Sequence, residues 1–170
     1  MFFFVRMHPF MRPISLYMRP HAGFTLIELM VTISVLAVLL GIGVPSFQAT
    51  IQGNRIATTA NDMVAALHLA RSEAVRRGVN MTLCSSNDQN TCSGVWADGW
   101  VVRGPVAADP PLRVWPALRP GMTLAAGGDT EFNPLGGVTT PRCYQLNLGT
   151  LVRRVNVGPG GRVNSAALAC

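Results

Sequence analysis

Few side chains in this sequence are equipped for chemistry. Beyond residue 23 there is one histidine, His68, and there are four cysteines, Cys84, Cys92, Cys143 and Cys170. A nucleophilic serine or cysteine needs a base beside it. His68 falls on the surface of a predicted helix, and no nucleophile motif accompanies it. A structural zinc centre wants closely paired ligands such as C-x2-C, and that spacing does not occur. The sequence therefore gives no support for an enzyme, a metal site or a cofactor. The cysteines are better read as disulfides, for which four residues allow three pairings. Cys84 and Cys92 flank a polar turn at 85–91. Pairing them closes a short loop and leaves Cys143 for Cys170.

What remains is electrostatics. All 14 basic side chains are arginines, against 8 acids, giving a formal charge of +6. Such a charge points to an anionic partner, nucleic acid or a membrane surface. One acid is badly placed: Glu28 interrupts the otherwise uncharged run FTLIELMVTISVLAVLLGIGV at residues 24–44. A carboxylate in hydrocarbon costs a few kcal/mol, so Glu28 either reaches toward the interface or meets a cation from a neighbouring chain.

The elements that carry these groups follow from composition. Charged residues are only 13% and apolar residues 49%, against about 25% charged in ordinary soluble proteins. The excess lies in residues 24–44, which as a helix would be about 31 Å long, matching a bilayer core of about 30 Å. Arg6, Arg12 and Arg19 precede it without an acid, which predicts a cytoplasmic N-terminus and an exported remainder. A cleaved secretory signal fits poorly, because the run is long and no A-x-A site closes it. Next, Ile56, Ala60, Met63, Val64, Leu67, Ala70, Ala74 and Val75 recur at helical spacing. The helix should end near Arg77 with Gly78 as its left-handed cap. A continuous helix over 24–77 would be about 81 Å long, with a bend or local melting expected at Gly41, Gly43 and Pro45. Residues 78–170 hold 13 glycines and 8 prolines, the mark of a turn-rich β domain. Strands are predicted at 79–84, 94–103, 112–115, 130–133, 144–148 and 151–157. Residues 96–100 read either as a hairpin through Asp98-Gly99 or as a bulged strand. Trp96, Trp100 and Trp115 are expected to pack rather than to form a ligand platform.

Gly23-Phe24-Thr25-Leu26-Ile27-Glu28-Leu29 resembles the class III signal of type IV pilins and pseudopilins. The resemblance implies cleavage by prepilin peptidase between Gly23 and Phe24 and N-methylation of Phe24. Glu28 then pairs with the N-terminal amine of an adjacent subunit, and Pro45 is the helix-kinking proline. The leader departs from the pattern: Ala22 and His21 precede Gly23, and Arg19 is the nearest basic residue. Met11 and Met18 are accordingly candidate starts besides Met1. Further strings resemble the GspH/FimT branch of minor pilins and pseudopilins. They are Ala70-Arg-Ser-Glu-Ala-Val-Arg-Arg77, Leu83-Cys-Ser-Ser with Cys92 and Trp96-Ala-Asp-Gly-Trp100, Phe132-Asn-Pro-Leu-Gly136, and Gly161-Arg162. The residues least informative for this branch are 104–129.

That resemblance implies an α+β, pilin-like fold, in which a long N-terminal helix packs against an antiparallel β-sandwich-like domain. The expected divisions are a cleaved leader (1–23), a membrane and filament-core helix (24–44), an amphipathic helix (45–77) and a β-rich domain (78–170). The disulfide pattern Cys84–Cys92 and Cys143–Cys170 also occurs in relatives. The implied function is that of a minor pilin of a type IV pilus, contributing to DNA uptake, with a minor pseudopilin of a type II secretion system as the alternative. The implied partners are prepilin peptidase, other pilins or pseudopilins, the bacterial inner membrane, crossed once with the domain in the periplasm, and double-stranded DNA. For DNA, the last acid is Glu131, and four arginines follow it: Arg142, Arg153, Arg154 and Arg162. Clustered arginines suit phosphate. Strand alternation puts Arg153 on one face with Leu151, Val155 and Val157, and Arg154 on the other, so Arg154 with Arg162 is the favoured pair. The family's C-terminal Gly-Arg-x-Arg motif is here Gly161-Arg162-Val163-Asn164, with asparagine in place of the second arginine.

Overall fold

The computed structural model describes residues 23–170, with the backbone alone for Pro45 and Ser46. The leader, with its arginines and its candidate starts, lies outside the described residues. The elements are α1 (Leu26–Arg77), β1 (Met81–Ser85), β2 (Trp100–Arg103), β3 (Arg113–Trp115), β4 (Met122–Ala126), β5 (Thr130–Phe132), β6 (Arg142–Leu148), β7 (Leu151–Val157) and β8 (Val163–Ala166). The chain divides into two units, one ending at Ile42 and one spanning Gly43–Cys170.

In the first unit every described side chain is exposed. The helix is long and apolar enough to cross a membrane, with a window of mean hydropathy 2.4. Its hydroxyls do not spoil this. Thr32 Oγ1 donates to the Leu29 carbonyl (2.8 Å) and Ser34 Oγ to that of Met30 (2.7 Å), so neither leaves a polar group unsatisfied in hydrocarbon. Helical backbone continues through Gly41, Gly43 and Pro45, so the expected melting is absent. Pro45 still has no N–H to offer the carbonyl one turn back.

In the second unit α1 buries Ile56, Ala60, Met63, Ala66, Leu67, Ala70 and Ala74. Val64 is half-buried and Val75 is exposed, so the real stripe is narrower than the spacing suggested. Gly78 ends the helix at φ +66°, donating to the Ala74 carbonyl (2.9 Å). The stripe shares one core with two antiparallel four-stranded sheets, in the orders β3-β2-β1-β5 and β4-β6-β7-β8. The first sheet contributes Leu83, Trp100, Val102 and Phe132, and the second Tyr144, Leu146, Val155 and Val157. Tyr144 Oη and Thr130 Oγ1, 2.6 Å apart, tie the sheets together through a buried hydrogen bond. Burial pushes the Tyr144 phenol well above its ordinary range. Trp100 and Trp115 are buried and stacked, with ring centroids 6.3 Å apart, and Trp96 meets Tyr144 edge-on at 5.0 Å.

Three strand expectations change. Residues 94–103 are neither a hairpin nor one strand. Trp96–Asp98 form a 3-10 turn, Gly99 takes φ +116°, and β2 starts only at Trp100. β4 lies within 104–129, where no strand beyond 112–115 was expected, and β8 was also unexpected. The chain around β4 and β8 is rich in alanine and glycine, and little apolar alternation marks either strand.

The last turn of α1 holds a charge cluster. The Arg76 and Arg77 guanidiniums both reach the Glu73 carboxylate, Arg77 Nε at 2.6 Å. Their hydrogen bonds pull its carboxyl down to about 2 from an ordinary 4.5. Because the folded value is the lower one, this contribution to the helix end is complete above about pH 4.5 and is lost as pH falls toward 2. In an NMR titration the Glu73 carboxyl should have its midpoint near 2 and return toward 4.5 in Arg76→Ala/Arg77→Ala. An ordinary midpoint in the intact chain would contradict the cluster.

Candidate functional site

Two regions carry the candidate residues. The first is the start of α1. Gly23, Phe24 and Thr25 are non-helical and exposed. Thr25 Oγ1 accepts from the Glu28 N–H (3.2 Å), and the Thr25 carbonyl accepts from the Leu29 N–H (3.2 Å). Thr25 is thus the N-cap, satisfying a donor the helix would otherwise leave open. The sequence signal was present but unused: Thr-x-x-Glu is the capping-box spacing. The Glu28 carboxylate has no partner among the described residues, and it sits in the first turn, where the helix dipole favours an anion.

The second region is the sheet β4-β6-β7-β8. Its core side shows Tyr144, Leu146, Val155 and Val157. By alternation Arg153 shares that side, opposite Leu146. The outer side presents two cross-strand rows, Cys143–Asn156–Asn164 and Gln145–Arg154–Ala166. A cleft of about 450 Å³ opens on the first row, between Arg142 and Arg162, with Asn156 and Asn164 in its lining. The Arg142 guanidinium is braced by the carbonyls of Gly127 (2.6 Å) and Asp129 (3.1 Å). Arg154 Nη1 donates to the Ala169 carbonyl (3.2 Å). The side chains of Arg153 and Arg162 have no partner among the described residues. Arg142 and Arg162 both line the cleft, but the register sets Arg142 opposite Val157, on the core side with Arg153, and turns its guanidinium to the Gly127 and Asp129 carbonyls; Arg154 lies on the outer side, one row from the cleft. The favoured pair, Arg154 and Arg162, shares a face but not the cleft.

Sequence reasoning missed what holds Arg162 in place. Arg71, on α1 beside the buried Ala70, donates through Nη2 to the Gly160 carbonyl (3.1 Å). The Val138 N–H donates to the Pro159 carbonyl (2.9 Å), and Asn133 Oδ1 accepts from the Leu135 and Gly137 N–H groups. Gly161 takes φ +71°, and a Cβ there would collide with the Gly136 carbonyl oxygen. Two strings far apart in sequence, 132–136 and 161–162, are thus in direct contact.

The structure joins Cys84 to Cys92 and Cys143 to Cys170. Within the 84–92 loop the Asp88 carboxylate accepts from the Thr91 N–H and Oγ1, the Asn90 N–H and Ser86 Oγ. Those donors hold its carboxyl far below the usual range. Among the described residues there is no cluster of side chains able to hold a metal ion, and His68 is exposed.

One long helix on two antiparallel sheets, with an apolar N-terminal half, defines the pilin-like class. Residues 59–161 match the profile of the type II transport protein GspH, and residues 18–44 match the prokaryotic N-terminal methylation motif. The chain belongs to the GspH family of minor pilins and pseudopilins. Its fold resembles that of the type IV minor pilin FimU of Pseudomonas aeruginosa, with a TM-score of 0.56 and 22% identity, covering 66% of this chain and 89% of that one. It also resembles the minor pseudopilin EpsH from the type 2 secretion system of Vibrio cholerae, with a TM-score of 0.51 and 15% identity, covering 66% and 97%. Among curated proteins no sequence matches.

Gly161→Ala should lower stability by about 2–4 kcal/mol, combining a left-handed backbone with a steric clash. Exposed Arg162→Ala should stay within about 0.5 kcal/mol. Denaturant unfolding of the purified chain checks both, and equal effects would contradict the close approach at Gly136.

Proposed function

We propose that this chain is a minor pilin of a type IV pilus. In this reading residues 1–23 are a leader that prepilin peptidase removes between Gly23 and Phe24, and Phe24 is N-methylated. Residues 24–44 cross the bacterial inner membrane once, with the N-terminus cytoplasmic, and later enter the filament core. Residues 45–77 carry the helix on to the periplasmic domain at 78–170, and Pro45 bends it. The observation that carries the reading is Glu28, a carboxylate without a partner among the described residues, in the first turn of the helix and the one charge in an exposed run at 24–42. Cleavage would create an amine at Phe24. The same two groups on neighbouring subunits compensate each other, whereas a single charge in hydrocarbon is costly.

The choice of a pilus over a type II secretion pseudopilus rests on the basic cleft. Arg162 lines it with Asn156 and Asn164, Arg142 borders it, and no acid is among the described residues that line it. This arrangement suits the phosphates of double-stranded DNA, bound through charge-assisted, forked hydrogen bonds, and so a role in DNA uptake.

Glu28→Ala should still lose its leader, seen as the mass of a chain starting at Phe24, but should fail to enter filaments. Normal incorporation would remove the charge-pair role. Deleting the gene should impair twitching and transformation and leave exoprotein secretion intact. Lost secretion with normal piliation would establish the pseudopilin alternative instead.

A further inference from the structure

β8 ends at Ala166, and the chain then turns back across the outer face of its own sheet. Little holds residues 167–170 there. Leu168 is 58% exposed, so the segment gains little from burial. Its ties are the Cys143–Cys170 disulfide, the hydrogen bond from Arg154 to the Ala169 carbonyl, and one from the Cys170 N–H to Gln145 Oε1 (3.0 Å). Both hydrogen bonds fall on the Gln145–Arg154–Ala166 row. Arg154 is half-buried there, and its Nε–H is buried with no partner. A guanidinium N–H removed from water without an acceptor is unfavourable. The covered state is therefore not the best that Arg154 can reach, and the covalent closure enforces it.

The covered row adjoins the open one. Arg154 and Asn156 stand two residues apart on one strand and so point the same way. Asn156 lines the cleft with Arg162 and Asn164. We infer that residues 168–170 are a strap, locked by the Cys143–Cys170 disulfide over Arg154, and that opening this disulfide adds Arg154 to the phosphate-contacting face. The inference rests on reading that face as a DNA-contact surface. The opening step is thiol–disulfide exchange with a dithiol. One thiolate of the dithiol attacks a sulfur of the bridge, giving a mixed disulfide. The second thiol then displaces it, leaving Cys143 and Cys170 as thiols and the dithiol oxidised to its cyclic disulfide.

The test uses the full chain in detergent micelles, bearing Cys84→Ser/Cys92→Ser so that only one bridge can be opened. Phenylglyoxal, which labels accessible guanidiniums, should modify Arg162 but spare Arg154 while the bridge is closed. After dithiol treatment, or with Cys143→Ser/Cys170→Ser added, both should be modified. Equal labelling of Arg154 in the closed and open forms overturns the strap. A short DNA duplex should then bind the open form about tenfold more tightly at low salt, with a log–log salt slope steeper by about 0.9. Arg154→Ala in the open form should abolish the gain. Uncovering Arg154 without a change in duplex binding overturns the regulatory role. No duplex binding by either form, with Arg154 uncovered as expected, overturns the DNA reading and leaves the strap standing. Near-UV circular dichroism of the buried tryptophans reports whether each variant is folded. Should the serine variants unfold, labelling of the dithiol-treated chain carrying all four cysteines decides the strap.

Discussion

The burial of one narrow stripe of α1 is the interaction on which the domain depends. Neither four-stranded sheet could close a core alone, since each turns apolar residues toward a space that the helix fills. Ile56, Met63 and Leu67 supply bulk, while Ala60, Ala66, Ala70 and Ala74 supply proximity. Small and large side chains of the stripe join those of both sheets in one buried core, with the close packing typical of protein interiors. Helical propensity adds little here; tertiary packing makes this stretch of helix stable. Everything attached to the sheets, including the basic cleft, is positioned relative to that stripe.

Arginine is used in several ways in this fold, among them a cation–π contact of Arg113 over the Trp115 ring at 5.0 Å. Arg76 and Arg77 neutralise a carboxylate at the helix end. Arg71, Arg103, Arg142 and Arg154 instead donate to backbone carbonyls. Arg103 is buried, yet its guanidinium reaches the carbonyls of Asn90 and Ala107 and so ties the 84–92 loop to the segment after β2. Arg153 and Arg162 remain unengaged among the described residues. A sequence with no lysine is understandable on these terms, because a planar fork with five donors can hold several carbonyls at once where an ammonium is a point charge. The formal charge therefore overstates the free positive surface.

Much of this could be read from the sequence. The end of α1, with Gly78, and the bounds of β7 follow from local chemistry alone, as does the sidedness of Arg153 and Arg154. Glu28 stands out because nothing near it in sequence is charged. The missing parts depend on distance. That Arg142 and Arg162 line one cleft follows from the β6–β7–β8 pairing, which sets Cys143 opposite Asn156 and Asn156 opposite Asn164, and from a turn that Arg71 holds. The covering of Arg154 depends on a bridge between residues 27 apart in sequence. No periodicity encodes such meetings. The error at 94–103 has a different origin: Gly99 sits where a strand could run, but its φ of +116° breaks the extended backbone.

The contact between Gly136 and Gly161 has a consequence for anyone exchanging parts among proteins of this class. The 133–137 turn and the turn that presents Arg162 are shaped to each other at a spacing that admits no side chain, and Arg71 holds the second from the helix. They form one transferable unit although three stretches of sequence encode it. A chimera that imports the arginine-bearing turn alone would bring a surface without its seat. Moving all three stretches together would carry the cleft's geometry with them.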